Sequence, residues 1–418
     1  MTERLYYDDP YLREFDATVR ASAERDHRIV VTLDRTAFYP TSGGQPFDTG
    51  MLGEWRVVDV FDEADGSIAH VLGDRPAASP ARDRLPAIGS VVHGEIDWPR
   101  RFDHMQQHTG QHVLSAAFDK LFGVRTVSFH LGAEASTIDL AREMTAAEIA
   151  AAEDEANRIV WEDRPVSIRY ATSEEAATMP LRKEPVRGGT LRLIEVERFD
   201  LSACGGTHVA RTGAIGLIAV ASWERFKGGQ RIEFLCGGRA LTRLRSLGGA
   251  VAAGMRLLSV VPQELPVAIE RLQAELKDQK RAVTAFQEEL SAYRAAEIAA
   301  SAETVRLKPP FGPADGEARL VCRAVDADAN ALKSLVRAIT AQPGFVAVLT
   351  SSSHPGLVAI ARSADVKMAS HELLAYLTKQ FGGRGGGKPE IAQAGGLSAA
   401  PGDILAAGRA AVSSSIQS

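Results

Sequence analysis

Only three cysteines occur in 418 residues, Cys204, Cys236 and Cys322. An odd, sparse set excludes a disulfide framework and points to a reducing compartment. Also missing is any run of about 18 apolar residues, so no membrane-spanning helix is expected. The first residues, MTERLYYDDP, are charged and carry no apolar stretch, which argues against a secretory leader. Neither sign of charge dominates: 48 basic against 53 acidic residues give a formal net charge of −5. No polybasic character therefore advertises a nucleic acid or an anionic membrane, although a local patch is invisible in a total. With 45% hydrophobic residues the chain can build sizeable cores. Its length suggests two to four domains, and a soluble, cytosolic protein is expected.

Hydrophobic periodicity divides the chain. Residues 1–97 read as an N-terminal β-barrel or curved sheet, because IVVTL (29–33), WRVVDVF (55–61) and SVVHGEIDW (90–98) are rich in β-branched and aromatic residues. Turn-rich loops separate them, PTSGGQPFDTG (40–50) and 72–89. From Arg100 the period lengthens. Phe102, Met105, Val113, Leu114, Ala117 and Leu121 suit a long helix, 126–131 with 136–140 a hairpin, and Thr145 with Glu148 a capping box. Further strands at 165–170, 191–196, 216–226 and 231–236 make 98–248 an α+β domain. Residues 249–308 form a helical linker in which Ile269, Leu276, Val283 and Leu290 fall seven apart, interleaved with Leu272, Gln279, Phe286 and Tyr293. That seam fits one arm of an intramolecular hairpin and a dimeric coiled coil equally. The rest, 309–418, reads as an α/β unit with three strands, two helices and a glycine-rich segment.

Two short motifs carry chemistry. HTGQH (108–112) puts His108 and His112 one helical turn apart, on one face. The pair alone is weak, since Thr109 stands where a metalloprotease helix has glutamate. CGGTH (204–208) adds the thiol of Cys204 and the imidazole of His208. Four N and S donors suit tetrahedral Zn²⁺. The plainer alternative makes Cys204 a small buried apolar group and His208 a surface residue; two pairs in one chain favour zinc.

Together these motifs closely resemble the editing domain of alanyl-tRNA synthetases and its stand-alone AlaX-type relatives. FYPTSGGQPFDTG, RFDHMQQHTGQHVLS, SFHLG and RFDLSACGGTHVARTGAIG match the same family. GGRGGGKPEIAQAGG resembles the C-terminal domain that these synthetases share with DHH-type phosphoesterases, so the arrangement is that of the long stand-alone form. No class II aminoacylation domain is expected before the barrel. No DHH triplet occurs, since Asp26-His27 is followed by Arg28.

The resemblance implies hydrolysis of a wrong aminoacyl ester on tRNA(Ala). Ser-tRNA(Ala), and in some members Gly-tRNA(Ala), is cleaved and Ala-tRNA(Ala) spared. His108, His112, Cys204 and His208 are then zinc ligands. If all four bind, the shell is closed, which leaves the metal's catalytic or structural role open. Discriminating serine from alanine needs a polar group that only the hydroxyl satisfies. The family places a threonine in the barrel loop, here Thr41, with Gly43, Gly44 and Gln45 alongside as substrate-binding residues. Ser42 stands where many relatives have a glycine. Gly205 and Gly206 are expected to offer N–H groups to an oxyanion or the 3′ end. Gly382–Lys388 satisfies GxxxxGK, but Pro389 replaces the Mg²⁺-holding hydroxyl and the segment follows a helical run, which excludes a P-loop. Arg384 and Lys388 are instead expected to hold tRNA phosphates, a dimer-interface loop being the alternative. RFKGG (225–229) with Arg231 is a small basic cluster, read as solvated surface with RNA contact as the sharper option. Two other functions compete: a non-catalytic tRNA-binding protein with structural zinc, and an editing hydrolase for another tRNA. A homodimer through the heptad or C-terminal region is a further expectation.

Overall fold

The computed structural model describes residues 1–25, 27–73, 86–182, 189–313, 316–352 and 355–414. The turn-rich 72–89 loop falls mostly outside them. The chain divides into two compact units, Met1–Leu257 and Leu258–Ser418. The architecture mixes α and β throughout, as the sequence pattern predicts.

Six antiparallel strands close a barrel at the N-terminus. They are β1 (Glu14–Arg25), β2 (Arg28–Leu33), β3 (Gly50–Leu52), β4 (Trp55–Asp62), β5 (Ile68–Leu72) and β6 (Val91–Ile96), in the spatial order β1-β2-β5-β4-β3-β6. Closure removes sheet edges, and Val31, Phe38, Val57, Val60 and Ile68 fill the interior. His70 is buried among them. Its Nδ1–H donates to the Val31 carbonyl at 3.1 Å, and its Nε2 accepts from the Thr36 hydroxyl at 2.8 Å.

Helix α1 (Trp98–Phe122) leaves the barrel directly. Asp97 caps its start, accepting from Arg100 N–H, Pro99 suits the first turn, and Gly123 ends it in the left-handed region at φ 65°. Met105, Val113, Leu114 and Ala117 are fully buried, as their spacing predicts; Phe102 is partly buried, Leu121 is exposed near the helix end, and Phe118 joins the buried face. Around α1 fold the hairpin β7 (Thr126–Leu131) and β8 (Ser136–Leu140), helix α2 (Ala146–Trp161), and strands β9 (Val166–Thr172), β10 (Thr190–Val196) and β11 (Asp200–Ala203). Strands β12 (Ile218–Phe226) and β13 (Gly229–Cys236) complete a four-stranded sheet in the order β12-β13-β8-β7, and helix α3 (Gly237–Leu258) follows. The expected Thr145–Glu148 capping box opens α2, with both reciprocal bonds made.

One buried ion pair joins barrel to helix. Arg101 and Asp48 are both fully buried, the Arg101 Nε lying 3.0 and 3.1 Å from the two Asp48 oxygens. Nη1 donates to the Pro10 carbonyl, Nη2 to the Ala37 carbonyl and to Asp48 Oδ2, and Asp48 also accepts the Tyr39 N–H. A pair so buried is tolerable because each guanidinium nitrogen has a partner.

The second unit begins with a 36-residue helix, α4 (Leu265–Ala300). A seven-stranded sheet follows: β14 (Glu303–Leu307), β15 (Glu317–Val325), β16 (Phe345–Ser351), β17 (Gly356–Arg362), β18 (Arg384–Gly387), β19 (Ile391–Leu397) and β20 (Ser413–Ser414). The order is β18-β19-β17-β16-β15-β14-β20. Helices α5 (Ala329–Thr340), α6 (Ser370–Phe381) and α7 (Pro401–Val412) pack on it, one more than the sequence pattern suggested. Part of the glycine-rich segment is the edge strand β18: absent side chains let Gly385 and Gly387 lie flat against β19. The heptad residues Ile269, Leu272, Leu276, Val283, Phe286, Leu290 and Tyr293 all lie exposed along α4.

Burial depresses the pKa of His70 to about 4, so the folded barrel holds it neutral. Its contribution is complete above the ordinary histidine value of about 6.5 and is lost as pH falls from there toward 4. Urea midpoints measured at pH 7 and pH 5 should fall more steeply for the native chain than for His70→Gln. The full linkage is on the order of 3 kcal/mol below pH 4.

Candidate metal centre

Four side chains from two distant segments converge. The donor atoms of His108, His112, Cys204 and His208 all lie within 4.8 Å of one another. Cys204 Sγ is 3.4 Å from His108 Nε2 and 3.3 Å from His208 Nε2. All three imidazoles are buried, and Cys204 is half-buried.

Helix α1 supplies the first pair, and its position is set by a close approach. A Cβ on Gly110, between the two histidines, would meet Cys236 Sγ at 2.3 Å. Glycine therefore lets the helix settle on the end of β13. The second pair follows β11, which hydrogen-bonds β10. Arg192 on β10 then holds the CGG turn, its Nη1 donating to the carbonyls of Cys204 at 2.8 Å and Gly206 at 3.0 Å.

The far nitrogen of every imidazole is committed. His108 Nδ1–H donates to Gln45 Oε1 at 2.8 Å. The same oxygen accepts Thr207 N–H, while Gln45 Nε2 donates to Thr207 Oγ1, which fixes the amide's orientation. His112 Nδ1–H donates to Asp200 Oδ2 at 3.0 Å. His208 Nδ1–H donates to Thr109 Oγ1 at 3.2 Å; that hydroxyl spends its own hydrogen on the Met105 carbonyl. Each ring thus keeps its Nε2 lone pair for an ion, and the set fits tetrahedral Zn²⁺.

Electrostatics agrees. Burial would raise the Cys204 thiol, yet the imidazoles of His108 and His208 bring it well below its ordinary value, toward thiolate. Burial drives His208 down to about 3, toward the neutral form that ligates. His112 is lowered by burial but raised on balance by its bonds to Asp200 and Cys204. Burial would also raise Asp200, but His112 and Arg182 hold it well below the ordinary carboxylate range.

A cavity of about 180 Å³ opens beside the cluster. Ser42, Gly43, Gln111, Ser128, Phe129, Arg182, Gly205 and Gly206 reach its wall with His108, His112 and Cys204. Gly44 docks the barrel loop by accepting Leu131 N–H at 3.1 Å. Thr41 is exposed, and its hydroxyl accepts Phe47 N–H at 3.2 Å. Gln45, expected to touch substrate, is fully buried behind His108. The Gly206 N–H points at Cys204 Sγ, 3.4 Å away, rather than at the cavity. Arg384 and Lys388 belong to the second unit, on and just after the exposed edge strand β18. In the basic cluster, Arg231 pairs with Asp139 and lies over the Phe226 ring, and Arg225 pairs with Glu143. Sequence reasoning missed Asp200, Thr109, Thr207, Arg192 and Arg182. Asp200, four residues before Cys204 in RFDLSAC, carried the one usable signal, a lone acid just before a ligand motif.

Gly206 has no room for a side chain: a Cβ there would stand 2.2 Å from the His108 ring. Gly206→Ala should therefore lower metal uptake in elemental analysis while far-ultraviolet circular dichroism stays native. Gln45→Leu should weaken metal binding about 10–100-fold in chelator competition, as removal of an imidazole's outer partner does.

Residues 191–233 match the family described as the threonyl and alanyl tRNA synthetase second additional domain. The chain is 31% identical over 408 residues to an alanine–tRNA ligase of Pyrococcus abyssi, covering 94% of this chain. It is 33% identical over 412 residues to that of Natronomonas pharaonis, again covering 94% of this chain. In both cases the chain spans only 42% of the ligase. With the alanyl-tRNA editing protein AlaX-L of Pyrococcus horikoshii it shares 31% identity over 417 residues, covering 97% of each. A match that runs end to end, and that joins a barrel, a three-histidine, one-cysteine centre and a glycine-rich C-terminal unit, shows that the chain belongs to the AlaX-type alanyl-tRNA editing proteins.

Proposed function

We propose that the protein is a zinc-dependent trans-editing hydrolase that deacylates Ser-tRNA(Ala), with Gly-tRNA(Ala) as a second candidate substrate, and spares Ala-tRNA(Ala). The observation that carries this reading is a thiol and three imidazoles, each with its far nitrogen tied, facing a small open cavity beside the barrel loop. Bound Zn²⁺ would supply Lewis acidity toward the ester or a hold on the substrate's amine. The chain's own residues do the rest. Gln45, Asp200 and Thr109 keep the imidazoles in one tautomer, and Phe129 covers the His108 ring at 5.3 Å. Gln111, whose Nε2 donates to Ser115 Oγ at 2.9 Å, presents a fixed amide to the cavity. Serine selectivity is assigned to Thr41, whose hydroxyl accepts Phe47 N–H and keeps its own hydrogen for a substrate oxygen. Gly43 and Gly44 hold the loop in positive-φ turns against the cavity. Arg384 and Lys388 are assigned to tRNA phosphates, and the reading places the protein in the cytoplasm with its substrate.

A four-ligand shell also supports a second reading, in which zinc is structural and the protein only binds tRNA. Incubation with Ser-tRNA(Ala), Gly-tRNA(Ala) and Ala-tRNA(Ala), and with a panel of other misacylated tRNAs, decides. Release of serine from the first without release of alanine is expected. Tight binding without release favours the structural reading, and faster release from another tRNA would move the substrate. Cys204→Ala should lose both zinc and deacylation. Thr41→Val should keep zinc and lose about 10-fold or more of the serine preference, the scale of one hydrogen bond to a distinguishing hydroxyl.

The exposed heptad face of α4 supports a homodimer. Sedimentation equilibrium should give twice the chain mass, and Leu276→Glu with Leu290→Glu should halve it.

A further inference from the structure

We propose that Arg182 is the phosphate anchor of the cavity, binding the phosphodiester on the 5′ side of the terminal adenosine. The inference rests on the editing reading and adds to it the charged group that the site takes.

Three observations lead there. Among the described residues, those lining the cavity include a single permanent cation, Arg182. Among them, any other positive charge would have to come from an imidazole committed to the cluster. A phosphodiester entering with the terminal nucleotide therefore has one side chain among these to meet it.

Arg182 is also built in place before any substrate arrives. Its backbone N–H donates to the Leu201 carbonyl at 3.0 Å, which ties it to β11. Its Nε donates to Asp200 Oδ1 at 2.6 Å and its Nη2 to Asp200 Oδ2 at 3.3 Å. Asp200 is buried and accepts from Ser202 as well. One edge of the guanidinium is thus consumed, and the side chain keeps 14% exposure. A guanidinium carries five N–H donors, and among the described residues the Nη1 edge has no partner, which leaves it for a second anion. Holding the fork in advance removes much of the ordering cost of binding.

Its place in the hydrogen-bond chain selects the anion. Arg182 is tied to Asp200, which in turn holds the far nitrogen of His112, so it braces the outer side of a ring instead of joining the donor atoms. An oxyanion would form at the donor atoms themselves. The phosphodiester lies one ribose away from the ester, where a group set back from the reaction would meet it. Binding energy from such a remote group helps to position the reacting one.

The test uses the full-length, zinc-loaded protein and 3′-(L-seryl)amino-3′-deoxyadenosine, whose amide resists hydrolysis, with and without a 5′-phosphate. Titration calorimetry should show the phosphate strengthening binding by about 10-fold or more in the native protein. Arg182→Gln should erase that increment, and Arg182→Lys should keep part of it. Zinc content should be unchanged in both variants. An equal increment in native protein and Arg182→Gln, or no increment in the native protein, would overturn the assignment while leaving the editing reading intact. Loss of zinc in Arg182→Gln would overturn it too, by showing that Arg182 serves only to brace Asp200. If the native protein binds neither nucleoside, the editing reading itself fails.

Discussion

The buried pairing of Arg101 with Asp48 sets the register on which the centre depends. Asp48 ends the barrel loop PTSGGQPFD, and Arg101 lies in the first turn of α1. Because both charges are fully out of water, neither can move away from the other without stranding a desolvated ion. The loop is therefore locked to the helix. Three residues before Asp48 stands Gln45, and two turns after Arg101 stands His108. Their 2.8 Å contact follows from that lock. A barrel that by itself contributes no ligand thus decides the tautomer of one.

Order spreads outward from the cluster through partners of different kinds. A neutral amide, a carboxylate and a hydroxyl each hold one imidazole. The carboxylate is the only charged partner, and it is the one that also carries Arg182. Charge thus reaches the cavity wall through His112, while His108 and His208 are held by neutral groups. On the opposite side, the Gly206 amide and the Arg192 guanidinium shape the turn that presents Cys204. Glycine is needed there because the His108 ring occupies the space of a Cβ.

Much of this was legible beforehand, for identifiable reasons. The barrel strands, α1 and the β7–β8 hairpin announced themselves through periodicity, which is a local property. The Thr145–Glu148 box did so through a spacing of three residues. The four candidate ligands were legible because metal chemistry restricts residue type and spacing within each pair. The glycine-rich segment was legible only as composition, since its pairing as a flat edge strand depends on the neighbouring strand β19 and not on its own local pattern. The Gly206 amide also differs from expectation: position in a motif suggested a donor to substrate, and the fold aims it at sulfur.

Residue chemistry along the chain determined which atoms were able to ligate, and the end-to-end resemblance determined the family. What the chain order does not encode is which lone groups meet across 63 to 99 residues. Gln45, Asp200 and Thr109 carry no spacing rule relative to the histidines they hold. Their roles arise from packing the barrel loop, α1 and β11 against one another, and only the tertiary structure decides that.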